Sequence, residues 1–186
     1  MPNWCTNRLE VSKHNESGRR LIDAFRENHV NDNGEAYASP FQDLRPCPEE
    51  LIETVKGYSG DEEVQAQREA QYKSNKEKYG HADWYDWRVA NWGTKWDACG
   101  IDITDMDDRA MITFETAWSP PSEFLAWYAE QNPDVLFCNH FEEEGMSFEG
   151  YDLNSPDRGF VSESWEPHQG VPFFDELLDE IEVPEK

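Results

Sequence analysis

Three groups of side chains in this sequence have types and spacings suited to chemistry. Lys95 stands between Trp92 and Trp96. It offers a charge to an anion and rings to a base, although a lysine lying along its neighbours with only the ammonium in water fits the same residues. Cys138 and His140 are two apart, so they share a face of any strand that carries them, and Cys99 on a neighbouring strand would make a third metal donor. A zinc site needs a further ligand and a supporting shell, and the short ligand spacing of zinc motifs is missing. Asp102, Asp105, Asp107 and Asp108 resemble part of a calcium loop but lack its glycine and distal glutamate, so they read as solvated turn carboxylates. Gly-x-Ser-x-Gly, phosphate-loop and His-Glu-x-x-His motifs are all missing. The expectation is no catalytic residue, no metal and no cofactor.

The remaining chemistry is charge. The 186 residues carry a formal charge of −24. Residues 97–186 hold 23 acidic and 3 basic side chains, a net of −20, and the basic ones are Arg109, Arg158 and Lys186. A magnitude of about 2–8 suffices for the solubility of a small domain. Such a surface repels the phosphate backbone, so direct nucleic-acid binding is not expected. It suits a basic protein partner, metal ions or plain solubility. The candidate partner-binding carboxylates are Glu142, Glu143, Glu144, Glu149, Asp152, Asp157, Glu163 and Glu166, followed by Asp175, Glu176, Asp179 and Glu180. Spread over a rigid sheet and helix, they would imitate the charge of a nucleic acid and dock in a basic groove.

The elements that must position these groups follow from periodicity. Residues 4–11 alternate as a strand, and Leu21, Ile22, Ala24 and Phe25 mark a helix over about 16–28. Residues 29–48 read as loop. A short helix follows over 48–55, a solvated helix over 61–79, and a helical piece over 81–92 with Tyr85, Val89 and Trp92 on one face and Trp84 and Trp87 flanking them. Gly93 supplies the left-handed residue that ends that helix. Thereafter the period changes to two: strands at 97–104 and 110–118, a helix launched by Pro120 and Pro121, then strands at 135–142, 146–151 and 159–165. The order β-α, helical insertion, β-β-α-β predicts an α+β ferredoxin-like fold, a split β-α-β antiparallel sheet. The expected organisation is one domain over 1–170 with its insertion at about 29–92. An acidic amphipathic helix over 171–186 would then dock on the domain, bind a partner or mediate homo-oligomers.

Four cysteines lie far apart, the first residues lack the apolar core of a secretory signal, and no run approaches the roughly 20 apolar residues of a membrane span. A soluble protein with reduced thiols and no membrane contact is expected.

Three separated segments carry a family resemblance: residues 1–11, beginning Met1-Pro2-Asn3-Trp4-Cys5; Asn91-Trp92-Gly93-Thr94-Lys95-Trp96; and Phe114-Glu115-Thr116-Ala117-Trp118-Ser119-Pro120-Pro121. Together they resemble the YubB-like proteins of bacteriophages and conjugative plasmids, over residues 1 to about 151. The resemblance implies a ferredoxin-like fold, a mobile-element origin and residence in the cytoplasm of a bacterial host. It implies no catalytic residue. On this basis Trp4, Asn91, Trp92, Gly93, Lys95, Trp96, Trp118, Pro120 and Pro121 are a structural signature, with the rings expected mainly in the core. The functional expectation is an inhibitor of a basic, nucleic-acid-binding host defence protein of the restriction or CRISPR type. The alternatives are a small-ligand binder or enzyme with a cleft near Trp92, Lys95 and Trp118, and an oligomeric scaffold.

Overall fold

The computed structural model describes residues 3–143, 145 and 148–166. Strand β1 (Trp4–Ser12) turns Cys5, Asn7, Leu9 and Val11 to one side, and it lies within a six-stranded antiparallel sheet, between β5 and β6. Helix α1 (Glu16–Arg26) follows, capped by Asn15, whose side chain accepts from the Gly18 amide at 2.8 Å. After the insertion come β4 (Cys99–Asp105), β5 (Arg109–Ala117), α6 (Ser122–Gln131) and β6 (Phe137–Glu143). Their order across the sheet, β4-β5-β1-β6, is that of a ferredoxin-like domain. Two further strands, β7 (Phe148–Ser155) and β8 (Gly159–Trp165), extend the sheet beyond β6.

Both α1 and α6 pack on one face of the sheet. Leu9, Val11, Ile112, Phe114 and Phe137 point into that layer with Leu21, Phe25, Phe124, Leu125 and Tyr128. The alternate side chains of every strand, Thr6, Arg8, Thr113, Glu115, His140 and Glu142 among them, therefore point to the opposite face. No described helix covers it.

The insertion contains β2 (His29–Val30), β3 (Ala36–Tyr37), α2 (Pro40–Leu44), α3 (Glu49–Ile52), α4 (Glu62–Tyr79) and α5 (Trp84–Trp92). The segment expected to be loop thus holds a small hairpin, turned by Asn31 and Gly34, and a short helix. That helix has a remote cap. Asp97 accepts from the Phe41 amide at 3.1 Å, the Gln42 amide at 3.0 Å and the Ser39 hydroxyl at 3.1 Å. It drives Phe41 into the core against Phe25, Trp92, Phe114 and Phe124. As expected, α4 is solvated, with only Asn75 buried. Its amide bonds the Thr54 hydroxyl and the Ala82 carbonyl at 2.9 and 2.8 Å.

On α5 the flanking rings, with Trp92, are the ones that meet the core. Tyr85 and Val89 are exposed, and α5 instead turns Trp84, Trp87 and Trp92 inward. These positions are also at helical spacing, and the larger indole area decides which set is buried. The acidic helix expected at 171–186 lies outside the described residues.

Candidate interaction site

Two family-like segments meet at one corner of the sheet. Gly93 ends α5 at φ 84°, and a Cβ there would stand 2.9 Å from the Pro120 carbonyl oxygen and 3.2 Å from the Ser122 amide nitrogen. Glycine is needed for both the left-handed backbone and the close approach. The Thr94 hydroxyl donates to the Ala117 carbonyl at 3.0 Å and accepts from its amide at 3.2 Å, while the Ser119 hydroxyl donates to the Gly93 carbonyl at 2.5 Å. Pro121 is the residue before the first turn of α6, and its carbonyl accepts from the Leu125 amide at 3.0 Å. Asn91 is held through its carbonyl, which accepts from Arg45 at 2.6 Å. Gly93, Thr94, Ser119 and Pro120 thus form a seam between the end of α5 and the start of α6.

The tryptophans divide. Trp92 is fully buried, its indole donating to the Arg45 carbonyl at 3.0 Å. It therefore lines no cleft with Lys95 and Trp118, and that combination is corrected. Trp4, Trp96 and Trp118 are 39%, 39% and 43% exposed, against the expectation of core rings. Trp4 lies 6.0 Å from Trp96, centroid to centroid. The Lys95 ammonium sits 4.2 Å from the Trp96 centroid and 5.4 Å from that of Trp118. Trp118 adopts φ 76°, the one positive φ of a non-glycine residue among the described residues. Its amide donates to the Asn3 carbonyl at 3.0 Å, carrying the β1–β5 ladder one step further. For a bulky side chain this conformation costs about 1–2 kcal/mol, and here it turns the indole outward as the chain leaves β5 for α6.

Beside this corner the helix-free face carries more acidic than basic side chains, next to a buried cluster of Cys138, Tyr151 and Leu153 with Val161 and Trp165 packed against it. In-register partners run Cys99, Glu115, Thr6, Glu142, Glu149 and Trp165 across all six strands. The parallel row two residues on runs Asp102, Thr113, Arg8, His140, Tyr151 and Glu163. Glu142, Glu163 and Asp102 are exposed, Glu115 and Glu149 half-buried, and the Trp165 indole donates to Glu149 at 3.0 Å. The cations Arg8 and Arg109 both approach Glu10, at 3.6 and 3.5 Å. Asp157 and Glu166 are exposed at the far end of the β7–β8 hairpin and just past β8.

Two predicted surface carboxylates are not on the surface. Glu143 is 1% exposed, its oxygen accepting from the Gly145 amide at 3.2 Å. Asp152 is fully buried on the helix-covered face. It accepts from Ser162 at 2.7 Å, Ser122 at 3.0 Å and Asn139 at 3.3 Å, and the chain continues through Asn7 to Thr116. Burial pushes its pKa up, against the lowering effect of those donors. Charge counting missed both because period two puts Asp152 opposite Asn139, on the inner face. The same alternation could have found Glu115, since Ile112, Phe114 and Thr116 face inward. Glu144, Asp175, Glu176, Asp179 and Glu180 lie outside the described residues.

The metal candidates do not converge. Cys99 pairs with Glu115 on β5, three strands from Cys138 and His140, roughly 14 Å at the usual strand spacing. Asp105 binds Lys13 at 2.6 Å and Arg26 at 2.5 Å, which hold its pKa down, Lys13 foremost. Among the described residues no group of three or more His, Cys, Asp or Glu is placed to hold a metal ion, and no helix is long and apolar enough to cross a membrane. Cys5 and Cys138 are buried thiols, both pushed up to about 12 mainly by desolvation.

Residues 91–170 match the family described as the ferredoxin-like domain in Api92-like protein. The match begins at Asn91 and takes in Trp96, Trp118 and strands β4 to β8, so the fold read from connectivity and that of the matched family agree. A crystal structure of protein api92 from Yersinia pseudotuberculosis aligns with 93% of this chain and 100% of that one, at 13% identity and a TM-score of 0.46. No curated protein matches the chain.

Proposed function

We propose that this is an interaction protein of a phage or plasmid, as its YubB-like segments suggest, acting by binding and not by catalysis. Its partner is a basic, nucleic-acid-handling defence protein of the bacterial host, of the restriction or CRISPR type. The acidic sheet face occupies the groove meant for nucleic acid and so inhibits the partner in the host cytoplasm. The observation that carries this reading is the in-register row holding Glu115, Glu142 and Glu149, with Asp102 and Glu163 in the next row, on the face no described helix covers. Neighbouring strands stand about 5 Å apart, so Glu115, Glu142 and Glu149 spread over about 14 Å, roughly half the linear charge density of a nucleic-acid strand at about one phosphate per 3.4 Å. The net −20 of residues 97–186 steers a basic partner toward it.

The test is capture from host lysate by the wild-type protein and by the Glu115→Gln/Glu142→Gln/Glu149→Gln variant, eluted along a salt gradient. The expected partner is basic, elutes from wild type only as salt rises, competes with duplex DNA for the protein, and is lost by the variant. A partner held equally by both proteins, or insensitive to salt and DNA, sinks the mimicry.

A further inference from the structure

Three tryptophans beside the acidic row, Trp4, Trp96 and Trp118, are half-exposed, and Trp4 packs on Trp96. Buried rings elsewhere in this chain, Trp92 foremost, show that it can put indoles inside. At the corner it instead keeps Trp118 in left-handed backbone and presents Trp4, Trp96 and Trp118 together. A contiguous exposed aromatic patch marks a contact surface. Two of these rings already hold a cation: the Lys95 ammonium lies 4.2 Å from the Trp96 centroid and 5.4 Å from that of Trp118. Indole faces attract ammonium and guanidinium groups through their quadrupole, and more strongly once water is excluded.

We propose that Trp4, Trp96 and Trp118 form a receptor for a lysine or arginine side chain of the basic partner, and that Lys95 is its internal occupant, displaced on docking. The inference rests on the acidic-face reading above and names the anchor of that interface. Charge complementarity selects the occupant. Trp4 is two residues from Thr6, which stands in register between Glu115 and Glu142, so an incoming basic segment meets carboxylates as it reaches the rings. Lys95 supplies the same contact from within while no partner is present, which keeps the ring faces from lying bare in water. Because it is a like charge at the receptor, it weakens the partner it stands in for. Removing it therefore tightens binding, the opposite of what an anion or nucleobase site would do.

The experiment titrates a ten-residue oligolysine peptide into the full chain, read by tryptophan fluorescence and calorimetry at several salt concentrations, with thermal melts of every variant. Trp96→Ala and Trp118→Gly should each weaken binding roughly fivefold. Glycine at 118 accepts the positive φ but gives up the packing of a half-buried indole, so its binding is read at a temperature where its melt shows it folded. Lys95→Met should tighten binding by about twofold to fivefold. Weaker binding by Lys95→Met, or binding of a ten-nucleotide single strand in place of the peptide, overturns the proposal. If both tryptophan variants bind as wild type while Glu115→Gln/Glu142→Gln/Glu149→Gln loses the peptide, the receptor fails and the acidic face stands. If that triple variant also binds as wild type, or wild type ignores the peptide, both fail.

Discussion

The α-carbon of Gly93 faces the Pro120 carbonyl so closely that a Cβ on it would come within 2.9 Å of the oxygen. This contact joins the end of α5 to the start of α6, and the neighbouring hydroxyls of Thr94 and Ser119 bond across the same seam. Gly93→Ala combines the left-handed penalty with a clash against backbone, which has no rotamer to escape into. The expected cost is about 2 kcal/mol or more. Urea unfolding checks it, and a loss under about 0.5 kcal/mol would mean the seam gives way freely.

Asp152 sets a pH dependence. Its pKa is raised in the folded protein, chiefly by burial. A raised carboxyl favours folding fully below its unfolded value, near 4, and that contribution is lost as pH rises through the folded value. An asparagine at this position has no charge to bury at any pH, so Asp152→Asn should gain in melting temperature relative to wild type on going from pH 4 to pH 7. A difference that shrinks over that range refutes the assignment. Asp152→Ala, in contrast, strands the donors Ser122, Ser162 and Asn139 and should cost about 1–3 kcal/mol.

Asp97 caps a helix from a distance of more than fifty residues in sequence. Asp97→Ala removes the acceptor for the Phe41, Gln42 and Ala98 amides. A loss of about 1–2 kcal/mol is expected, with faster amide exchange at Phe41 and Gln42 than elsewhere in the core. Unchanged exchange at those two amides would show that α2 is held by Phe41 packing alone.

Much of the fold was legible because it is written in local periodicity. The change from helical spacing before Gly93 to alternation after it places α5, β4 and β5, and the prolines at 120 and 121 mark the start of α6. Two of the corner segments, Asn91 to Trp96 and Phe114 to Pro121, were recognisable as signatures. That Gly93 and Pro120 are the residues that touch was not, because they are brought together only by the packing of α5 on α6. The acidic candidates show the same limit. Glu142 and Glu163 reach the surface, while Glu143 and Asp152, equally charged and in the same region of sheet, are buried.

The sequence by itself determined the order of the main-sheet strands and of the two helices that cover them, the ferredoxin-like connectivity and the excess of negative charge, since each depends on residue type and short spacing alone. Tertiary structure decided which tryptophans are core and which are presented, and which carboxylates share a face. It also decided that Cys99 stays apart from Cys138 and His140. Those outcomes depend on strand register and on the closing of loops around the sheet. A shift of one residue reverses the face of every side chain in a strand, and register is settled by the whole packed core, not by any segment within it.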